Sequence, residues 1–252
     1  MSKKTLKAPS LYSLIFLVVL IVLWQISANF GWINTFYFSA PNLIVRDLVE
    51  MITSGLAWEH TVFTFGISII GIIIGGLTGM IVAYCLSRFD FMEAVLSPII
   101  VMINGIPKLA LGPLFVVWFG IGTYAKIVMS TIMVFFLFFF NAYAGFKNVN
   151  QDLIGSLKMM GATRSQIVTK VILPSTLPWL VPSVRTGMGA ALQGTIVGEY
   201  LGATKGLGWM IQNAGGVFNI TRVMSCLFLL MVIMYVIDWL LVSLEKKILV
   251  WR

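Results

Sequence analysis

Apolar residues run through this chain in stretches too continuous for one buried face of a soluble helix. Counted between charges and turn signals, six stretches approach or exceed the roughly 20 residues a helix needs to cross a bilayer core. They cover residues 11–30, 61–86, 94–120 and 125–146, a stretch that starts after Pro174 or Pro178 and ends near Leu201, and residues 223–244. The third is interrupted by Asn104-Gly105-Ile106-Pro107 and by Pro113. The first follows Lys3, Lys4 and Lys7, as a signal peptide would, but it is too long for a signal and shows no small-x-small cleavage pattern, so a retained helix is expected. Residues 42–54 set Leu43, Ile44, Leu48, Val49 and Ile52 against Arg46, Asp47 and Glu50 at helical spacing. That pattern, too short to span, predicts a helix lying in the outer interface.

Composition sharpens this picture. The 252 residues are 59% hydrophobic and 10% charged, against about 45 to 50% and about 25% in a globular chain. A soluble fold is excluded. A net charge of +8 would suggest nucleic acid in a soluble protein, but here the basic residues punctuate apolar runs and read as topology control, with no nucleic-acid partner. With the N-terminus in the cytoplasm, eleven Lys and Arg fall on the inner side, and Arg46, Lys126, Lys205 and Arg222 on the outer. The expected fold is all-α and polytopic, with six transmembrane helices and both termini cytoplasmic. Cys85 and Cys226 form no CxxC pair and His60 is the one histidine, so the thiols read as buried spectators and no metal site is expected. The spans carry no Asp-Asp pair, no Ser/His/Asp set and no HExxH helix, so no catalytic residue is assigned. The chain also lacks GxxxxGK[ST], so ATP would have to be handled by another polypeptide.

Within the spans, Gly71, Gly75 and Gly79, and again Gly194, Gly198 and Gly202, recur four apart. Such stripes let helices approach closely in lipid and mark packing seams, within one chain or between two copies. Phe135, Phe136, Phe138, Phe139 and Phe140 read as lipid-facing or core residues. Three ionisable residues inside the spans stand out, because charge at that depth is costly and usually faces the bundle interior or a water-filled cavity. Arg185 lies about 12 Å into the fifth stretch at the helical rise, and Lys108 sits beside the Pro107 break. Each is either fixed by a partner or by the carbonyls of a broken helix, or it lines a path that favours anions. Glu199, about 33 Å along the same helix, is either an interfacial carboxylate in water or a gate contact at the outer mouth.

The inner loop between the fourth and fifth stretches carries its own pattern. Leu153, Leu157 and Met160 share a helical face, Gly161 breaks the run, and Ile167, Val171 and Ile172 resume it up to Pro174. This predicts a helix, a turn and a second helix outside the membrane, stopped by the proline. Its exposed apolar edge calls for a partner.

At these residues the chain resembles the type I permease subunits of binding-protein-dependent ABC importers. Their hallmark is a cytoplasmic loop with a Glu-Ala-Ala triplet, a glycine four residues later and, ten residues further, Ile-x-Leu-Pro. Gly161 fills the glycine position, Val171-Ile172-Leu173-Pro174 the second half, and Gly155-Ser156-Leu157 stands where the triplet would be. The triplet's glutamate is therefore missing, and Asp152, one turn earlier, offers a carboxylate in its place. The strings from Gly105 to Gly122, from Gly198 to Ala203, and Gly206-Leu207-Gly208 are similar to the nitrate, sulfonate and taurine permease subfamily, which also takes in permeases for pyrimidine vitamin precursors and related neutral solutes.

The resemblance implies a permease core over residues 56–244, preceded by a transmembrane helix and interfacial helix over 1–55 and followed by a cytoplasmic tail over 245–252. It implies a multi-pass protein of the bacterial inner membrane, paired with a second permease copy as a homodimer. Two ABC ATPase subunits would carry ATP and Mg, with no cofactor on this chain, and an extracytoplasmic solute-binding protein would deliver a sulfonate-, taurine- or nitrate-like anion. The ATPase-coupling loop would comprise Asp152, Gly155, Ser156, Leu157, Met160, Gly161, Ala162, Leu173 and Pro174. A channel or membrane scaffold is the reading from a different class; an importer, unlike either, is encoded beside a P-loop ATPase and a secreted binding protein.

Overall fold

The computed structural model describes residues 8–248. Lys3, Lys4, Lys7 and Arg252, which enter the charge count, lie outside the described residues. Among the described residues every regular element is helical: α1 (Ala8–Asn29), α2 (Thr35–Phe38), α3 (Pro41–Thr53), α4 (Leu56–Arg88), α5 (Asp90–Asn104), α6 (Gly112–Phe119), α7 (Thr123–Lys147), α8 (Gln151–Met159), α9 (Arg164–Ile167), α10 (Leu173–Gly202), α11 (Leu207–Gly216) and α12 (Ile220–Ile248). Five apolar helical runs are long enough to cross a membrane: Tyr12–Asn29, Leu56–Arg88, Thr123–Lys147, Arg164–Gly202 and Ile220–Lys247. The third expected stretch is a broken pair, Asp90–Asn104 and Lys108–Phe119, bent by 84°. The bend falls on the Asn104-Gly105-Ile106-Pro107 string, where Pro107 removes a backbone donor and restricts the residue before it.

The chain forms two compact units. One takes the described residues through Glu59 together with Met210–Met231; the other takes His60–Trp209 and the described residues from Val232 onward. In the first, α3 starts at Pro41, whose preset φ and missing N–H suit a first helical position. It buries Ile44 and Met51 and leaves Val45, Val49 and Ile52 exposed. Its acidic side meets Arg222, which lies 2.8 Å from Asp47 and 3.6 Å from Glu50. Ser39 and Thr221 share a hydrogen bond of 2.9 Å, and the Asn42 N–H donates to Gln25 at 2.9 Å.

In the second unit α7 is the axis of packing. Each glycine of the α4 stripe faces it: a Cβ on Gly71 would collide with Ser130, one on Gly75 would stand 2.5 Å from the Thr131 carbonyl, and one on Gly79 2.7 Å from the Phe135 carbonyl. The α10 stripe faces α7 and the residues just before it, with a Cβ on Gly194 placed 2.8 Å from the Met129 carbonyl, one on Gly198 2.9 Å from the Lys126 Cα and one on Gly202 3.1 Å from Ile121. Both stripes are thus seams within one chain. Between them Val134, Phe138, Phe139, Ala142 and Phe146 pack with Ala83, Leu86, Leu180 and Ala191. Phe136, Phe138 and Phe139 are buried, whereas Phe135 and Phe140 are half-buried at the cluster's edge.

One expected boundary is corrected. Pro174 does not stop the second loop helix: α9 passes through a π-helical turn, Val168–Ile172, straight into α10, with Pro178 and Pro182 inside it. Pro174 falls at the start of α10, where a missing N–H is tolerated, and the preceding π turn absorbs the change of hydrogen-bond register. The helix that carries the fifth apolar stretch accordingly begins at Arg164, ahead of that stretch, and runs through Pro174 without a stop.

The seam sets a prediction of opposite signs. Gly194→Val drives a side chain into α7 backbone and should cost about 1–3 kcal/mol or more. Gly189→Ala, in the same helix with nothing within 4 Å of its would-be Cβ, should leave stability unchanged or raise it by up to about 1 kcal/mol. Thermal unfolding of the two purified variants in detergent, followed by tryptophan fluorescence, checks both.

Candidate functional site

The loop after α7 is built by local signals. Asn150 caps α8, accepting from the N–H groups of Asp152 at 2.8 Å and Leu153 at 3.4 Å. Asp152 lies in the first turn and Lys158 in the last, the signs that the helix dipole favours. The helix closes where the Ala162 N–H reaches back to the Leu157 carbonyl at 2.9 Å and the Gly161 N–H to Lys158 at 3.0 Å. Gly161 holds φ +80, a conformation that costs glycine little. Thr163 and Gln166 then form a reciprocal capping box, with bonds of 2.8 and 3.3 Å, that starts α9. Neither Asn150 nor the Thr163-x-x-Gln166 box enters the site read from sequence, although both are legible there as start signals.

The exposed face of this loop differs from the expected one. Leu157 is half-buried, whereas Leu153 is exposed and Met159 and Met160 stand at 86% and 81% exposure. Met159 therefore joins the free apolar edge, and Leu157 turns partly inward. Ser156 is exposed, Gly155 and Ala162 are half-buried, and Leu173 and Pro174 are exposed in the first turn of α10. No atom lies within 4 Å of where a Cβ on Gly155 or Gly161 would fall, so within this chain Gly161 is required by its backbone angle and not by crowding.

A second polar centre forms around Glu199, which is 0% exposed. It is not a carboxylate in water. The Thr64 hydroxyl lies 2.8 and 3.0 Å from its two oxygens, and the Gly208 N–H donates to it at 2.8 Å. Thr64 in turn accepts the Leu207 N–H at 2.8 Å, and His60 Nδ1 accepts the Gly206 N–H at 2.9 Å. The His60 ring stacks on Trp209 with centroids 5.5 Å apart. Gly206, at φ +116, would drive any Cβ into the carboxylate, and a Cβ on Gly208 would stand 3.0 Å from it. The Gly206-Leu207-Gly208 string is thus the backbone cradle of Glu199. Lys126, expected in an outer loop, is instead 3% exposed on α7, its ammonium 5.0 Å from the Phe63 ring centroid and near enough to act on Glu199 electrostatically.

Lys108 and Arg185 are both held. The Lys108 ammonium donates to the Asn104 carbonyl at 3.1 Å and to its side-chain oxygen at 2.9 Å, and lies 4.8 Å from the Phe136 ring centroid. It thereby caps a carbonyl that the 84° bend leaves open. Arg185 makes a two-pronged contact to Asp238 of α12, with Nη2 to Oδ2 at 2.8 Å. Asp238 does not enter the site read from sequence, where no signal links positions so far apart.

Residues 71–250 match the family of binding-protein-dependent transport system inner membrane components. The chain belongs to that family. The permease is 32% identical over 240 residues to a protein of Haemophilus influenzae named as an ABC transporter permease, covering 94% of this chain and 97% of that one. It is 28% identical to a relative in Bacillus subtilis named as an aliphatic sulfonates transport permease, covering 93% and 85% respectively. Its fold matches a solved inward-facing structure of the MetNI methionine ABC transporter with a TM-score of 0.65 at 25% identity, over 74% of this chain and 93% of that one. The protein is therefore a multi-pass permease subunit of an ABC importer in the inner membrane, with ATP hydrolysis on a separate subunit.

The Glu199 centre sets the prediction for this permease. Thr64→Val removes a hydrogen-bond partner from a buried carboxylate while nearly keeping shape, and should cost about 1–3 kcal/mol. Thr64→Ser keeps the hydroxyl and should cost less. Their thermal midpoints in detergent, measured side by side, test whether the hydroxyl or the packing dominates.

Proposed function

We propose that the permease forms the membrane path of an ATP-driven importer for a small sulfonate-like anion, and that α8 with the turn at Gly161 is where an ABC ATPase docks. The carrying observation is a firmly capped helix and turn between two spans that leaves Leu153, Met159 and Met160 exposed. An exposed apolar edge of this kind fits a protein groove. The Lys and Arg bias supports a cytoplasmic side for this loop and both termini, where an ATPase works. Two permease copies, two ATPase subunits and an extracytoplasmic binding protein complete the machine in this reading. ATP would act through the loop only if it contacts the closed and open ATPase dimers with different affinity, since differential affinity alone shifts an equilibrium.

The sulfonate assignment draws on the relative from Bacillus subtilis and on the cation at the bend of the broken span. Lys108 is the path cation in this reading. Arg185 is neutralised by Asp238 and serves as a fixed tie between α10 and α12. Glu199, buried where α4, α10 and the chain before α11 meet, is the contact that would hold the path closed at its end.

Two outcomes are expected. Met159→Asp combined with Met160→Asp charges the exposed edge without disturbing a packed contact, so the variant should insert and fold normally yet lose co-purification with the ATPase and solute-stimulated hydrolysis. Retention of both would overturn the docking assignment. Lys108→Met should lower uptake of a radiolabelled sulfonate in reconstituted vesicles by about tenfold or more, while Arg185→Ala with Asp238→Ala should leave it near the wild-type rate. Equal uptake by Lys108→Met and wild type would remove Lys108 from the path.

A further inference from the structure

Behind α8 the second unit holds a cavity of about 320 Å³ whose lining carries Arg88, Lys158 and Arg164 and no carboxylate. The three cations come from three elements: the last residue of α4, the last turn of α8 and the first residue of α9. Two other cations near helix ends are paired, Lys147 with Glu93 and Arg222 with Asp47. Arg88, Lys158 and Arg164 make no ion pair among the described residues. Three like charges around one cavity repel each other, and an anion between them reverses the sign of the interaction.

The rest of the lining narrows the class of anion. Ser87 and Gln151 add neutral donors, and the wall behind them is apolar, formed by residues such as Phe146, Ile154 and Ile167. Two guanidinium groups suit a phosphate, whose paired oxygens they can meet bidentately. The apolar wall suits a ligand whose phosphate is attached to a hydrocarbon-bearing body. Arg88 is the last residue of the long apolar helix α4, and Tyr84 and Ser87 just before it also line the cavity, so the cavity sits at the end of a helix long enough to span, where hydrocarbon gives way to headgroups. Basic pockets between spans in that layer take acidic lipid headgroups.

We propose that this cavity binds the phosphate-bearing headgroup of an anionic phospholipid. The headgroup braces α8 from its inner face, through Lys158 and Ile154, and leaves the exposed edge at Leu153, Met159 and Met160 untouched. The site therefore stands whether or not that edge docks an ATPase.

The test uses the full-length permease in detergent, offered phosphatidylglycerol, phosphatidylcholine with the same acyl chains, or inorganic phosphate. Native mass spectrometry should show one phosphatidylglycerol retained under conditions that strip phosphatidylcholine, and hydrogen exchange across residues 151–168 should slow with the first lipid only. Arg88→Gln with Arg164→Gln should weaken that retention by about tenfold or more, whereas Arg46→Gln, on α3, should leave it unchanged. Equal retention of both lipids overturns the proposal, as does equal protection by inorganic phosphate alone. So does a double variant that melts like wild type and still holds phosphatidylglycerol. Protection that appears only when the ATPase subunit is added assigns the cavity to a protein partner and overturns it too. Should the double variant fail to fold, the comparison of lipids on the wild-type chain decides alone.

Discussion

Everything in the larger unit depends on how closely α4 and α10 approach α7. Lipid tails are as apolar as leucine, so no hydrophobic force drives spans together, and association rests on dispersion contacts and on polar groups that find partners. Glycine makes both available. At Ser130 the two seams converge: Gly71 meets its side chain, Gly194 its Cα, and its hydroxyl donates to the Ala191 carbonyl at 3.0 Å. Contacts this tight leave no slack along the helix axes, so they fix register to the residue.

That register aligns the polar ladder between α4 and α10. Thr64 meets Glu199, and one turn along Ser68 donates to Thr195 at 2.9 Å; the sequence numbers rise on one helix as they fall on the other. A buried carboxylate in a membrane protein is unfavourable unless its oxygens are satisfied. Here the second donor comes from the backbone at Gly208, which approaches because neither Gly206 nor Gly208 carries a Cβ. The string from Gly198 to Gly208 is therefore one device. Gly198 lets α10 close on Lys126, Glu199 supplies the acceptor, and the returning glycines deliver the N–H groups.

The spans, the break at Asn104 to Pro107 and the helix-turn-helix were legible because hydropathy, proline placement and periodicity are local properties of a chain. Pairings across the fold were not. Asp238 lies 53 positions from Arg185 and Asp47 lies 175 from Arg222, and nothing in local pattern connects them. Burial was equally hidden, because in a membrane a lipid-facing residue and a core residue are both apolar: Phe138 and Phe139 are buried on α7, while Leu14 and Phe16 on α1 are exposed. Lys126 reads as an outer-loop cation because charge normally marks a span's end, yet the approach of Gly198 encloses it. The inward turn of Leu157 escapes a count of spacings because Leu153 and Leu157 stand four apart on one face of α8, and only packing across the fold decides which of the two is covered.

The unbroken passage from α9 into α10 changes what the loop can do. A proline stop at Pro174 would make a joint there, and a load on the loop would be lost in it. Instead one helical run extends from Arg164 to Gly202, 39 residues, or about 58 Å at the α-helical rise. Arg164, at one end, follows the Gly161 turn, and Glu199, at the other, sits in the glycine cradle. Its compliant points are the π turn at Val168–Ile172 and the prolines at 178 and 182, since such sites are where helices bend. On the docking reading, a displacement of α8 reaches Glu199 as a tilt of α10 about those points. The tight α7 seam at Gly194 and Gly198 lies beyond them and moves with the far end. The polar ladder then resists the tilt, because opening it would part the Glu199 carboxylate from the Thr64 hydroxyl and the Gly208 N–H that satisfy it.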